Sequence, residues 1–284
     1  MVRAIDVHIH PPGPTGESLT SSEEAQRYFK VGKPPASVEE MAEYYAGLDI
    51  FGIVFDIDTE SVSGRPPTPN DYIADIAKKY PKQFAAFGSV DPWKGRAAVR
   101  EVSRCAEELG MIGLKFMPNM QEFFPNDRRF YPIWERAQKL GLVVLIHSGT
   151  TGVGAGTPGG GGVKLKYSRP VPYIDDVAAD FPGLNIIMAH PAWPWQDEQL
   201  AMLVHKPNLY MDLSGWSPKY FQPALVRYAN NLIQDKVLFG SDYPVMNPER
   251  WLADFEAAGF KDDVRDKILK GNAAKLLGLE GAIG

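Results

Sequence analysis

Residues 4–10 read AIDVHIH, and this stretch decides the fold. A β-branched run ends in two histidines two positions apart, and side chains two apart on a strand share a face, so His8 and His10 are expected to point together. Seven further runs of the same character follow: 50–58 (IFGIVFDID), 84–91 (FAAFGSVD), 111–118 (MIGLKFMP), 142–148 (LVVLIHS), 184–191 (LNIIMAHP), 208–214 (NLYMDLS) and 236–243 (KVLFGSDY). Between them lie stretches of helical periodicity, including 38–48 with Ser37 as N-cap, 97–109, 127–140, 173–180 and 218–233. Strands alternating with helices predict parallel βα units, and eight of them predict a closed (β/α)8 TIM barrel. An open doubly wound sheet would place a glycine-rich turn after its first strand; here the first strand runs into HPPGPTG, without GxGxxG.

The 284 residues, 44% hydrophobic and 23% charged, suffice for one barrel, and the whole chain, 1–284, is expected to form a single domain. The final stretch, 262–279, reads as one or two helices capping it. A net charge of −5 with both signs interspersed argues against nucleic acid as a partner. No apolar run approaches the ~20 residues of a membrane span, and no leader pattern opens the chain, so a cytoplasmic protein with a small-molecule partner is expected. A homodimer is the assembly held open. The one cysteine, Cys105, sits in a helical stretch and reads as a buried structural thiol.

Three segments interrupt the alternation on the side where strands end: proline-rich 11–35 and 61–69, and glycine-dense 149–168. The first reads as a lid and the last as a mobile loop over the C-terminal mouth, since it lacks the GK[ST] ending of a phosphate loop.

Four of the five histidines, His8, His10, His147 and His190, fall at C-terminal ends of predicted strands, where barrel enzymes place their chemistry, and Asp242 ends the eighth strand beside the first. A packing core has no use for so many imidazoles at one end, each with two ring nitrogens to satisfy. Three imidazoles and a carboxylate suit one divalent cation, Zn2+ first, with Mn2+, Fe2+ or Co2+ as alternatives. His205 matches no strand end and reads as a rim residue. Lys115, in GLKFMP, is costly inside a barrel unless it is used, and reads as binding a substrate anion or pairing with an acidic neighbour. Trp193 and Trp195 read either as an aromatic wall or as packing against neighbouring loops, and Arg169, with Arg65, Lys164 and Lys166, could meet an anionic substrate but reads first as an ordinary solvated charge.

Taken together, IDVHIH, LIHSG (145–149), MAHPAWPW (188–195), GSDYP (240–244) and the closing GNAAKLLGL (271–279) resemble the amidohydrolase superfamily. More narrowly, they resemble its amidohydrolase-related group, which includes aminocarboxymuconate semialdehyde decarboxylase and the resorcylate-type decarboxylases. The resemblance implies that His8, His10, His147 and Asp242 hold one metal ion, with His190 the catalytic imidazole and Asp242 also taking a proton; binuclear amidohydrolases carry a metal-bridging lysine near the place of Lys115, but the narrower group implies a single metal. A metal-activated water would make the chain a hydrolase; the same ligands would serve a metal-dependent decarboxylase of an aromatic or muconate-type acid. A metal-independent lactonase or a barrel that only binds its ligand is the more distant alternative.

Overall fold

The computed structural model of the chain describes residues 2–16, 26, 28–29 and 37–281. The apolar runs become eight parallel strands: β1 (Ala4–Ile9), β2 (Ile50–Val54), β3 (Phe84–Ser89), β4 (Gly113–Phe116), β5 (Val143–His147), β6 (Ile186–Ala189), β7 (Leu209–Asp212) and β8 (Val237–Leu238). They pair in chain order, as successive right-handed βα units require. The ring closes where β8 returns to β1, through Val7 N–H to Phe239 O (3.0 Å), Asp242 N–H to His8 O (3.0 Å) and His10 N–H to Tyr243 O (2.8 Å).

One longer helix follows each strand: α1 (Val38–Gly47), α2 (Asn70–Lys79), α3 (Arg96–Glu107), α4 (Tyr131–Lys139), α5 (Tyr173–Asp180), α6 (Gln196–His205), α7 (Pro223–Ala229) and α8 (Pro248–Glu256). The Ser37 cap forms as expected, its hydroxyl accepting the Glu40 N–H at 3.1 Å. The stretch read as one helix over 218–233 is instead a short 3-10 turn, Pro218–Tyr220, followed by α7. Pro223 forces the preceding Gln222 into extended backbone, which breaks the helix there. At the end of the chain, α9 (Asp262–Asp266) and α10 (Asn272–Leu277) are joined by a π-helical turn. Ala273, Ala274, Leu277 and Leu279 pack with the barrel interior and plug the end where the strands begin.

Two apolar layers hold the barrel. Ile5, Val7, Phe51, Ile53, Phe87, Val143, Leu145, Ile187 and Leu238 fill the inside, while Ala4, Ile9, Val54, Leu114, Val144 and Met188 face the helices. In β1 this alternation contains a break that matters for the site. Between Asp6 and Ile9 the first strand advances three residues while β2 advances two, from Gly52 to Val54. The extra residue is a bulge, and it flips the parity. Ile5 and Val7 point inward before it, and His8 and His10 point inward after it.

Bulge and barrel seam are pinned from outside by Asp6, which is fully buried. Its carboxylate accepts the N–H of His8 (3.1 Å), the N–H of Ser241 (2.9 Å) and the hydroxyl of Tyr45 on α1 (2.9 Å). Strand β8 is shorter than expected, two residues where eight were read, because 239–243 leave the ladder with β7 to bond with β1. Most of the segment 11–35 lies outside the described residues, and the lid reading lies there with it. No helix among the described residues is long and apolar enough to cross a membrane.

Candidate active site

The C-terminal mouth opens into a cavity of about 300 Å3. Its floor carries His8, His10, Lys115, His147, His190 and Asp242, and its walls include Phe29, Trp193, Trp216 and the glycine-loop residues Thr150–Val153. All the residues expected to bear chemistry at the strand ends therefore meet in one place. His8 Nε2 and His10 Nε2 stand 3.4 and 3.3 Å from the same oxygen, Oδ1 of Asp242. Ligand atoms of these three residues lie within 4.8 Å of one another, the spacing of a shared cation.

The far nitrogens of three imidazoles are tied to acceptors, which fixes what the near nitrogens offer. His8 Nδ1 faces Asp212 Oδ2 at 3.0 Å, His190 Nδ1 faces the carbonyl of Ser214 at 3.0 Å, and His147 Nε2 faces the carbonyl of Thr150 at 3.1 Å. A carbonyl only accepts, so the histidine nitrogens facing carbonyls carry the protons. His147 Nδ1 and His190 Nε2 then aim lone pairs at each other across 3.1 Å. Two neutral imidazoles do not rest in that arrangement without a cation or a shared proton between or beside them. The residues therefore fit a divalent metal ion by the chemistry of their donors, which suits Zn2+ and its borderline neighbours.

Burial, aided by the neighbouring Lys115, pushes His8 down to about 3 despite Asp212 and Asp242, so the ring is neutral and its lone pair free at neutral pH. Burial and the adjacent His190 likewise hold His147 well below the ordinary histidine value. For Asp242, burial works to raise the carboxyl's pKa, but the histidines, His8 foremost, outweigh it and hold the group below the usual carboxylate range. An Asp242 anion beside a neutral His8 remains.

Asp212 and His190, with His8, form a second group of similar spacing. Asp212 is however already saturated. Oδ1 accepts the N–H of His190 (3.1 Å), the N–H of Ser214 (3.0 Å) and the Ser214 hydroxyl, and Oδ2 takes His8 Nδ1. It does not line the cavity. Of the two groups, the one formed by His8, His10 and Asp242 lies wholly on the cavity.

Both candidate catalytic residues sit in left-handed backbone, His190 at φ 67° and Asp242 at φ 68°. For non-glycine residues this costs about 1–2 kcal/mol each. Hydrogen bonds hold them there. The His190 N–H binds Asp212, its carbonyl accepts from Gln199 Nε2 at 2.8 Å, and the Asp242 N–H binds His8 O at 3.0 Å. Gly215, at φ 73°, is required here on two counts: a Cβ would stand 2.9 Å from His190 Nδ1 and 3.1 Å from Asp242 Oδ2.

Lys115 points inward as expected, fully buried, with Nζ 3.3 Å from His8 Nε2 and 4.9 Å from the centre of the Phe55 ring. Burial depresses it to about 8, against the pull of Asp212 and Asp242.

Other candidates stand away from the cavity. Arg169 lies outside the cavity, its guanidinium paired with Glu198 at 2.6 Å. Trp195 is half-buried before α6 and does not line the cavity, so the aromatic wall is made by Trp193 and by Trp216, whose rings are 6.4 Å apart. Lys164 pairs with Glu122, Lys166 lies over the rings of Phe124 and Tyr167, and Arg65 is exposed. His205 and Cys105 are as expected: His205 is exposed at the end of α6, and Cys105 is buried, its thiol pushed up to about 12 by burial. Asp212, Ser214, Trp216 and Asp6 escaped the sequence reading. The only signal for the first three is their place at or just past the end of a strand, in DLSGW.

Set beside known proteins, residues 5–279 match the family model described as amidohydrolase. A 2-amino-3-carboxymuconate-6-semialdehyde decarboxylase of Dictyostelium discoideum is 24% identical over an alignment of 241 positions, gaps included, that covers 74% of this chain and 66% of that protein. Among solved structures, an uncharacterized TIM-barrel protein of Bordetella bronchiseptica superposes with a TM-score of 0.77 at 25% identity, covering 98% of this chain and 99% of that one. A dihydroxybenzoic acid decarboxylase of Polaromonas, solved with bound manganese and the inhibitor 2-nitroresorcinol, has a TM-score of 0.65 at 19% identity, covering 99% of this chain and 98% of that one. With the barrel, the strand-end histidines and a family match running almost from end to end, the chain belongs to the amidohydrolase family.

Proposed function

We propose that the chain is a metal-dependent decarboxylase of a small aromatic or conjugated carboxylic acid, in preference to the hydrolase that the sequence alone puts first. The observation that carries this reading is the meeting of His8, His10 and Asp242 at the floor of a cavity walled by Trp193 and Trp216. The relatives named above that have an assigned reaction are decarboxylases, one of them with manganese, which supports the carboxy-lyase over the hydrolase and widens the choice of metal beyond Zn2+. His8, His10 and Asp242 are the metal ligands in this reading, with His147 Nδ1 as the fourth. A cation held there would fix and polarise a substrate oxygen.

The remaining steps fall to the chain's own side chains. Trp193 and Trp216 stack on a planar acid, and Lys115, buried at the floor of the cavity, pairs with its carboxylate. As the bond to the carboxylate breaks, its electron pair stays on the substrate carbon and CO2 departs. His190, anchored through its Nδ1–H, first takes a proton from solvent at Nε2 and then delivers it to that carbon, which returns the ring to its neutral form.

The test is turnover of a panel of hydroxybenzoates and muconate-type acids by protein loaded with Mn2+ or Zn2+, followed in D2O. CO2 release with one deuterium placed on the vacated carbon is the expected result, with about one equivalent of metal per chain. Hydrolysis of lactones or amides with no CO2 from any acid would overturn it.

A further inference from the structure

Two histidines with different duties lean on one short segment at the end of β7. Asp212 Oδ2 is 3.0 Å from His8 Nδ1, and the Ser214 carbonyl and hydroxyl are 3.0 and 2.9 Å from His190 Nδ1. The Ser214 hydroxyl is also 3.0 Å from His8 Nδ1, and it donates to Asp212 Oδ1. Asp212, Ser214, His8 and His190 are all buried, so no water competes for these bonds. We infer that Asp212 is a positioning residue which, through its two oxygens, sets the ring tautomer of His8 and the backbone of His190, and so couples metal retention to the placement of the catalytic imidazole.

Counting donors makes the inference specific. Oδ1 receives three donors, the N–H groups of His190 and Ser214 and the Ser214 hydroxyl, while Oδ2 receives one, His8 Nδ1–H. Asp212→Asn must therefore keep its carbonyl oxygen at the three-donor position, since an NH2 there would face three donors. The NH2 then replaces Oδ2 and points at His8 Nδ1. His8 must turn its proton to Nε2, the atom aimed at Asp242, and the lone pair a cation needs is lost. Ser214→Ala differs, because both Nδ1 atoms retain an acceptor: Asp212 Oδ2 for His8 and the Ser214 backbone carbonyl for His190.

The inference rests on the metal reading above, and its test separates the two. The full-length protein, labelled with 15N-histidine, is examined by NMR for ring tautomers, with the His8 signal assigned by its absence in His8→Gln. Zn2+ affinity is then measured by chelator competition. Metal-free wild type should carry the His8 proton on Nδ1. Asp212→Asn should move it to Nε2 and weaken Zn2+ binding about 10–100-fold, the usual effect of losing such a partner. Ser214→Ala should leave the His8 tautomer unchanged and Zn2+ affinity within about threefold, well short of that loss. A wild-type His8 protonated on Nε2 overturns the inference, and that measurement stands even if Asp212→Asn does not fold. An Asp212→Asn protein that keeps the Nδ1 tautomer, or a Ser214→Ala loss as large as that of Asp212→Asn, also overturns it. If wild type binds no Zn2+ or Mn2+, the metal reading fails, and the tautomers alone decide the role of Asp212.

Discussion

The two ends of one barrel are built on opposite principles. Where the strands begin, Ile5, Val7, Phe51, Ile53, Leu145, Ile187 and Leu238 fill the interior with side chains that need only volume and contact. Where the strands end, the interior holds His8, His10, Lys115, His147 and His190, all buried, with Asp212 behind them. Each is held by another polar group rather than by packing, save that His147 Nδ1 and His190 Nε2 face each other without a donor between them. Contact without direction tolerates repacking, while a mutual hydrogen-bond set tolerates almost nothing. Change at the first end should therefore be read in stability, and change at the second in metal and rate.

The largest effects should come from the polar end. His8→Ala or His10→Ala should empty the site of metal and abolish turnover, since the remaining donors cannot replace a ligand bond. His190→Ala should keep the metal and lower kcat by about 10²–10⁴, the range for losing a general acid or base. Metal content by elemental analysis beside kcat checks both. A His190→Ala protein as metal-poor as His8→Ala would place His190 among the ligands and erase the distinction drawn here.

At the apolar end, Ile187→Ala removes a fully buried side chain and should destabilise the fold by about 2–5 kcal/mol, read from urea unfolding. The folded fraction should keep its metal and its kcat. A fall in kcat out of proportion to the folded fraction would mean that the two ends are not independent.

Lys115 sharpens the comparison because it is a charge placed among rings. In metal-free protein it is depressed to about 8 from 10.5, so between those values the unfolded chain binds the extra proton and stability rises with pH. Relative to Lys115→Met, wild type should be less stable near pH 7, and the gap should narrow as the pH climbs through that window. Denaturation of both proteins at about pH 7 and 10 measures it, and a constant gap would show that Lys115 is not desolvated as described. In the metal-loaded enzyme the same substitution should raise KM for the acid about tenfold, equivalent to about 1.4 kcal/mol of lost substrate binding.

Much of this division was legible in the sequence, for physical reasons that also mark its limits. Alternating apolar runs and helical periods are local, so the eight strands could be read off, and with them the strand-end places of His8, His10, His147, His190 and Asp242. The β1 bulge is not local. Strict alternation from Ile5 and Val7 would have turned both first-strand histidines outward, and only the pairing with β2 and the grip of Asp6 show why they face in. Asp212 was invisible because a carboxylate in NLYMDLS looks like any strand-end acid until the ring closes and His8, 204 residues away, comes within 3.0 Å. Arg169 and Trp195 misled because the path of a long loop, which decides where its side chains point, leaves no periodic trace in sequence.

The left-handed backbone at His190 and Asp242 also bounds the evolutionary future of the site. Glycine takes such a conformation freely and asparagine tolerates it, whereas valine or isoleucine would be forced against its own carbonyl. A descendant released from its reaction would drift first to Gly or Asn at these two positions and keep its barrel intact. A homologue bearing that pair is best read as a retired catalyst on an unchanged scaffold, and its ancestry would be written in two backbone angles after the chemistry had gone.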